Sequence, residues 1–193
     1  MSPTTKPEKT TKPEKLRADS ARVREQMLAA ARERLAAGDL ELPMNAIAKA
    51  AGVGVGTVYR HFPTRQVLLE SLAAQSLASL VADAQTGASD PDPAAGLARL
   101  TGAGLRLLLD DPSLAAVLAA PDFTCADTAK LAAELFGSLE ILLDRARATG
   151  TIRTDVTVDD LRRLICGTEH AVRAGSTDAA DRYLDVLLRG LRA

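Results

Sequence analysis

Apolar and polar residues alternate along most of the chain with the period of an α-helix. Over 20–37, apolar side chains recur every three or four positions, and Gly38 follows the last of them. That spacing places the apolar side chains on one face, so we predict a first helix over about 20–37. The same criterion predicts two short helices, over about 45–51 and 55–61, on either side of Gly52.

Six longer helices are predicted in the remainder of the chain. Asp92-Pro93 and Asp111-Pro112 each combine a capping acid with a proline that suits the first helical turn. Segment 151–158 alternates briefly like a β-strand but has no partner strand, and we predict a loop there. The six helices are expected to start near residues 64, 93, 112, 125, 159 and 178, which makes nine in all.

Composition supports an all-α protein. Of 193 residues, 36 are Ala and 29 are Leu, both strong helix formers, whereas only five are aromatic. The length suits one domain or two small ones. Cys125 and Cys166 lie 41 positions apart, with no Cys or His at metal-ligand spacing. We therefore expect a reducing cytosol and neither a disulfide framework, a metal site nor a cofactor.

The N-terminal residues differ in composition from the rest. They contain two copies of Thr-Lys-Pro-Glu-Lys and offer little apolar surface, so we predict a disordered basic tail over 1–17. Such a tail could contact phosphates, although solvated disorder without a specific role is the simpler interpretation. Neither an 18-residue apolar run nor a secretory signal is evident, so we expect a cytoplasmic protein with no membrane partner.

The net charge of −1 conceals two regions of opposite sign. Residues 1–65 carry 12 Lys or Arg and 7 acidic residues, a net charge of +5, and 66–193 carry 12 and 18, a net charge of −6. This asymmetry is typical of a polyanion-binding module beside an acidic body, although chance surface composition can also produce it.

Residues 44–62 meet the steric requirements of a helix-turn-helix. Ala48 is small where the two helices cross, Gly52 suits the left-handed residue that ends the first helix, and Val58 packs the second helix back. An ordinary helical hairpin needs similar residues, so the spacing alone leaves DNA binding and a purely structural role open.

The second helix of this motif carries polar groups that suit DNA. Thr57, Tyr59, Arg60 and His61, with Arg65 just beyond, supply hydroxyls, a guanidinium and an imidazole that can contact phosphates and base edges. Core packing remains the alternative for Tyr59, and a solvated loop position remains the alternative for His61.

The run 45–65 resembles the N-terminal signature of the TetR/AcrR family of transcriptional repressors, with Ala-Gly-Val, Gly-Thr and Tyr-x-His-Phe elements in place. The similarity covers about 20–72. The run 145–156, ahead of two closing helices, is similar to bodies of the same family. A helical remainder of this length also suits such a regulator.

Four positions depart from the family pattern. Gly54 stands where the family often has a Ser cap, and glycine still permits that geometry with a small loss. Arg65 replaces the usual Lys and keeps the charge for a phosphate contact. Pro43 and Met44 stand where threonines often cap the helix, so we transfer no phosphate contact to them.

The resemblance implies a DNA-binding domain over 18–63 and an effector-binding and dimerisation domain over 64–193. It implies a homodimeric repressor, without catalytic residues, that a small-molecule effector releases from a palindromic double-stranded DNA operator. Val55, Thr57 and Arg60 would lie nearest the base edges. The implied DNA-binding residues are Gly54, Val55, Gly56, Thr57, Tyr59, Arg60, His61 and Arg65.

Two further groups of residues are predicted in the second domain. The last two helices would form a four-helix bundle with the partner subunit, and the sequence leaves open which face of 159–174 meets the partner. The predicted interface residues are Leu161, Leu164, Ile165, Thr168, Tyr183, Leu184, Leu187 and Leu188. The predicted effector-pocket residues, each of which can equally be ordinary core, are Phe123, Phe136, Leu139, Leu143, Cys166 and His170.

Two other classes of function stay open. A helical enzyme could use Cys125 or Cys166 as a nucleophile, whereas Glu169 and His170 are adjacent, point about 100° apart on a helix and would not form a dyad. A DNA-independent helical interaction protein is the second alternative.

Overall fold

The computed structural model describes residues 12–193, apart from the side chains of residues 12–15 and 177. Within that range the secondary structure is helical, and the all-α prediction is confirmed. A short 3-10 turn precedes the last helix. The nine α-helices are α1 (Lys12–Ala36), α2 (Met44–Ala50), α3 (Val55–His61), α4 (Arg65–Ala88), α5 (Pro93–Asp110), α6 (Pro112–Ala119), α7 (Ala126–Ala148), α8 (Val158–Ala174) and α9 (Ala180–Gly190).

The first helix starts earlier than the sequence predicts. α1 begins at Lys12, whereas the predicted helix begins near residue 20, so the prediction of disorder over 12–17 is wrong. Pro13 explains the error, because a proline in the first helical turn costs no hydrogen bond. The rest of the predicted tail, residues 1–11, lies outside the described residues.

The chain divides into two compact units. The first, which ends at Arg65, contains α1, α2 and α3; the second extends from Gln66 to Ala193. The division falls two residues after the predicted domain boundary. The boundary also falls directly after the first residue of α4. Arg65 therefore belongs to the first unit, and the rest of α4 belongs to the second.

Local capping determines several helix ends, as predicted. The carboxylate of Asp92 accepts hydrogen bonds from the amides of Ala94 (3.0 Å) and Ala95 (3.1 Å) at the start of α5. Asp111 caps α6 in the same way. The acid supplies acceptors to amides that have no partner within the helix, and the following proline has no amide to satisfy.

The core of the second unit is built around α5. This helix packs against α6, α7, α8 and α9, and most of its leucines are buried. Gly96 permits a close approach, because a Cβ there would lie 3.0 Å from the carbonyl oxygen of Gly87. The predicted loop 151–158 is irregular up to Thr157, where α8 follows, and one antiparallel bridge among the described residues joins Ile152 to Arg192.

α4 is long and apolar enough, by length and mean hydropathy, to meet the criteria for a membrane span, and it is the one such helix among the described residues. Half of that stretch is buried within the protein, including Leu77 and Leu80. Glu70 lies in the same helix with its carboxylate bonded to two backbone amides of the second unit. These contacts are those of a core helix.

Three arginines of the second unit close the C-terminal ends of other helices. The last carbonyls of a helix lack donors within the helix and attract cations. Arg145 donates to the carbonyls of Ala88 and Asp90 after α4, Arg162 to Leu118 of α6, and Arg173 to Leu108 and Leu109 of α5.

Candidate nucleic-acid interface and effector cavity

α2 and α3 form a helix-turn-helix whose turn depends on a glycine. Gly52 has a φ of +67°, and the amide of Val53 closes the end of α2 by donating to the carbonyl of Ala48 at 3.0 Å. Ile47 and Val58 are fully buried where the helices cross. A Cβ at position 52 would meet no atom within 4 Å, so the requirement for glycine is conformational.

The start of α3 carries little side-chain bulk. Gly54 occupies the N-cap in an extended conformation, and its carbonyl accepts a hydrogen bond from the amide of Thr57 at 2.8 Å. Gly56 is exposed, and a Cβ there would meet nothing within 4 Å. A flat DNA surface could therefore approach the backbone of this turn closely.

The outer face of α3 presents most of the side chains predicted to contact DNA. Val55 is 47% exposed and Tyr59 is 51% exposed, so Tyr59 is not a core residue. Arg60 is exposed, and its guanidinium donates to the hydroxyl of Thr57 at 3.1 Å and to the carbonyl of Gly56 at 3.3 Å. These bonds lie within one helix and orient the guanidinium without burying it.

α1 borders this face. Asp19, Ser20 and Val23 of α1 line an open cleft together with Thr57, Arg60 and His61 of α3. His61 is half-buried as the last residue of α3, so it does not lie in a loop.

Phe62, directly after α3, anchors the motif to α1. Its ring is fully buried, and the guanidinium of Arg24 lies 5.1 Å from its centroid. A cation over an aromatic ring is attracted to the negative face of the ring. No local sequence signal could have assigned this contact, because the two residues lie 38 positions apart.

Arg65 has a structural role that the sequence does not reveal. Its Nε donates to the carbonyl of Glu41 at 2.8 Å, and its Nη2 donates to that of Leu40. These bonds attach the first residue of α4 to the connection between α1 and α2. A phosphate contact would have to use the remaining N–H groups of this exposed guanidinium.

The second unit contains an apolar cavity of about 50 Å³. Two predicted pocket residues, Phe136 and Leu139, line it. The other lining residues come from α4, α5, α6, α7 and α8, and sequence periodicity cannot separate them from ordinary core. They are Leu80, Leu100, Thr101, Gly104, Leu108, Leu118, Leu135, Leu161, Arg162 and Ile165.

The structure does not bring the other four predicted pocket residues to this cavity. Leu143 is fully buried in the core, and His170 is exposed. Phe123 and Cys166 are half-buried elsewhere. Burial raises the pKa of the Cys166 thiol, which opposes the thiolate form that a nucleophile needs. The described residues contain no cluster of His, Cys, Asp or Glu that could hold a metal ion.

α8 and α9 present an exposed apolar face. Leu164 is 44% exposed and Val186 is 64% exposed, and no residue of α9 is buried. Of the residues predicted for the dimer interface, Leu161 and Ile165 point inward to the cavity. The other six lie on α8 or α9 and are exposed or half-buried: Leu164, Thr168, Tyr183, Leu184, Leu187 and Leu188.

Two family models match this chain. Residues 27–72 match the model described as bacterial regulatory proteins of the tetR family. Residues 92–193 match the model described as the C-terminal domain of SbtR-like transcriptional regulators. The chain belongs to the TetR family. It is a TetR-family transcriptional regulator, and α2 and α3 form its DNA-binding helix-turn-helix.

Solved structures agree with the family assignment. A TetR transcriptional regulator from Streptomyces coelicolor is 31% identical, with a TM-score of 0.52 over 88% of this chain and 98% of the other. FadR from Bacillus subtilis, in complex with stearoyl-CoA, is 20% identical, with a TM-score of 0.60 over 87% and 99%. RolR, in complex with resorcinol, is 18% identical, with a TM-score of 0.59 over 91% and 90%. The latter two share the fold alone. No curated protein sequence matches the chain significantly.

Two features of this TetR-family chain escaped the sequence predictions. Asp19 and Ser20 line a cleft with residues of α3, and nothing in the local sequence pairs them with that helix. Gly104 lines the cavity, and here a signal was present: a glycine inside a predicted helix needs a packing or functional reason.

Proposed function

We propose that this regulator is a homodimeric repressor that binds a palindromic operator through α3 and leaves it when a small molecule occupies the body. The observation that carries the proposal is the outer face of α3. There a hydroxyl, a guanidinium and a phenol stand on a short helix of a unit with a net charge of +5. These groups match the phosphates and base edges of DNA.

In the proposed complex α3 lies in the major groove. Val55, Thr57 and Arg60 face base edges, while Tyr59 and His61 contact phosphates. The two recognition helices of the dimer are about 34–36 Å apart, the separation of successive major grooves on one side of the duplex. Arg65 contributes a phosphate contact in addition to its bonds to the connection between α1 and α2.

The proposed dimer uses the apolar face of α8 and α9. Leu164, Tyr183, Val186 and Leu187 border one groove along these helices. Two copies of this face would form a four-helix bundle and remove the exposed apolar surface from water. Leu164→Lys combined with Val186→Lys should therefore convert the dimer into folded monomers, as measured by sedimentation.

The cavity is the proposed effector site. FadR and RolR, which share this fold, were solved with stearoyl-CoA and resorcinol bound. Leu80 of α4 borders the cavity in this chain, and the same helix starts at Arg65. A ligand that shifts α4 can therefore alter the first unit, and a coupling of about 1–3 kcal/mol would lower operator affinity roughly 5- to 150-fold.

The test starts with selection of bound fragments from the source genome by the purified full-length protein. Fluorescence anisotropy of a selected fragment should show a steep loss of affinity with salt, because bound arginines release counterions from DNA. The Tyr59→Ala variant should bind more weakly without a change in its unfolding temperature. Failure to select any palindromic fragment, or binding that salt does not affect, would overturn the proposal.

A further inference from the structure

The cavity of the second unit has little unsatisfied hydrogen-bonding capacity. The hydroxyl of Thr101 donates to the carbonyl of Leu97 at 2.7 Å, within its own helix. Arg162 is the one charged residue of the lining. The remaining lining residues are apolar side chains and one glycine. A ligand would therefore meet an apolar wall almost everywhere.

The guanidinium of Arg162 already has a carboxylate partner, Asp159, whose second oxygen pairs with Arg163. The Nη2 of Arg162 lies 2.7 Å from a carboxylate oxygen of Asp159, and its Nε donates to the same oxygen at 3.0 Å. Its Nη1 donates to the carbonyls of Leu118 and Ala120 at the end of α6. An anionic ligand could take more than the one remaining N–H group of Nη2 only by displacing Asp159 or breaking the cap of α6. A neutral ligand avoids that cost.

The glycines of α5 have different reasons for being there. A Cβ at Gly96 would lie 3.0 Å from a backbone carbonyl, and one at Gly102 would lie 3.4 Å from Leu184 of α9. At Gly104 the nearest atom, on Leu80, is 3.7 Å away, which is ordinary van der Waals contact. A glycine inside a helix makes the helix less stable than an alanine at the same position does. Packing does not require it at position 104, and its missing side chain leaves space in the cavity.

We propose that the cavity binds a small, uncharged, apolar molecule, and that Gly104 limits the size of that ligand. This inference rests on the proposed function, in which the cavity receives the effector.

The small volume gives this ligand a means of control. A cavity of roughly 150 Å³ holds benzene, and this one measures about 50 Å³. A ring can therefore enter only if lining groups, including Leu80 of α4, move apart. The ligand then binds the expanded arrangement more tightly than the one described here, which is the condition for shifting a conformational equilibrium.

The test compares toluene with benzoate, which add a methyl group and a carboxylate to the same ring. Each compound is titrated into the full-length protein without DNA, and binding is followed by calorimetry and by the unfolding temperature. Toluene should bind and raise the unfolding temperature, and benzoate should bind at least tenfold more weakly. Equal or tighter binding of benzoate, or no binding of toluene up to its solubility limit, would overturn the inference.

A pair of variants tests the role of Gly104. Gly104→Ala places a methyl group in the cavity, whereas Gly137→Ala adds one on the exposed side of α7, where nothing lies within 4 Å. Both variants should raise the unfolding temperature, because both replace a glycine inside a helix. Only Gly104→Ala should weaken toluene binding, by tenfold or more. Equal toluene affinity in the two variants would exclude a size-limiting role.

These titrations contain no DNA, so they are independent of the repressor proposal. Toluene binding by a protein that selects no operator would contradict the proposed function alone. A protein that binds its operator but does not bind toluene would contradict the cavity inference alone. The same holds if the protein binds its operator and Gly104→Ala leaves its toluene affinity unchanged.

Discussion

Three arginines of the second unit and Arg60 of the first unit serve different purposes in this regulator. In the second unit Arg145, Arg162 and Arg173 are bonded to backbone carbonyls at the ends of helices. In the first unit Arg60 of α3 is exposed, and its guanidinium donates to Thr57 and Gly56 of its own helix. The contrast teaches that the partners of a charge, more than its sign, distinguish a structural side chain from one available to a ligand.

Glu70 is the clearest example of a charged side chain that stabilises the fold. Its side chain is buried, and its two carboxylate oxygens accept hydrogen bonds from the amides of Thr124 and Cys125, each at 2.7 Å. Gln66 donates a third bond at 2.9 Å. Burial raises the pKa of Glu70, but these hydrogen bonds together lower the pKa by more than burial raises it. The pKa of Glu70 is therefore below its ordinary value. The ionised carboxylate joins α4 to the start of α7.

The largest predicted effect is therefore the loss of Glu70. Glu70→Ala leaves two buried amides at the start of α7 without an acceptor and should lower the free energy of unfolding by roughly 2–4 kcal/mol. Glu70→Gln keeps one acceptor oxygen and should cost about half as much. Urea unfolding of both variants measures the difference. An unchanged stability in Glu70→Ala would contradict the claim that this charged side chain stabilises the fold.

The same carboxylate should make stability depend on acid. Because its pKa is lowered on folding, its contribution is complete above the pKa of the unfolded chain and is lost as pH falls through the folded value. The stability difference between the wild type and Glu70→Gln should therefore shrink between neutral pH and about pH 3. A difference that grows in acid would contradict the direction of this pKa.

Arg173 should give the next largest effect. Its guanidinium caps α5 through the carbonyls of Leu108 (2.9 Å) and Leu109 (2.7 Å), and it pairs with the buried Glu169. Arg173→Ala should cost roughly 1–2 kcal/mol, since part of the side chain is exposed. Arg189→Ala, which breaks an exposed pair with Asp185, is the control and should change stability by less than about 0.5 kcal/mol. Equal losses in urea unfolding would remove the distinction between the two arginines.

The cap of α5 should contribute less. Asp92→Ala removes the acceptor for two amides and should cost about 1 kcal/mol. Asp92→Asn keeps a capping oxygen and should restore most of that loss in thermal unfolding. If the two variants are equally unstable, the carboxylate has a role other than capping.

The smallest effect on stability is expected for a change on the exposed face of α3. Tyr59 is 51% exposed and belongs to no core, so Tyr59→Ala should change the free energy of unfolding by less than about 0.5 kcal/mol. A core residue of the same motif, Val58, provides the contrast, because Val58→Ala should cost about 1 kcal/mol or more. A Tyr59→Ala variant as unstable as Val58→Ala would assign Tyr59 to the packing of the motif.

Local chemistry made much of the fold predictable. Asp92 and Asp111, each followed by proline, marked two helix starts, and Gly52 marked the turn of the helix-turn-helix. The exposed residues of α3 were predictable for the same reason, because Val58 and its neighbours determine which side of a short helix faces inward. Pro13 misled the prediction because its effect depends on its place in the helix.

Contacts between distant residues were not predictable. Arg145 and Ala88 lie 57 positions apart, and no pattern along the chain shows that one closes the helix of the other. The cavity was only partly anticipated, since Leu80 and Leu100 repeat with the same spacing as leucines of the core. A cavity forms where no side chain of a neighbouring helix fills the space that buried residues face. Helical periodicity predicts which residues face inward, but it does not predict whether that space is filled.

Operator binding by two arginine variants tests the central claim most directly. Arg60→Ala removes an exposed guanidinium from α3, and Arg106→Ala removes an exposed guanidinium from α5 of the second unit. On a selected operator fragment at fixed salt, Arg60→Ala should lower the affinity roughly 5- to 150-fold, corresponding to about 1–3 kcal/mol, and Arg106→Ala should leave it unchanged. Equal affinities for Arg60→Ala and the wild type, or a comparable loss in Arg106→Ala, would contradict the assignment of DNA recognition to α3.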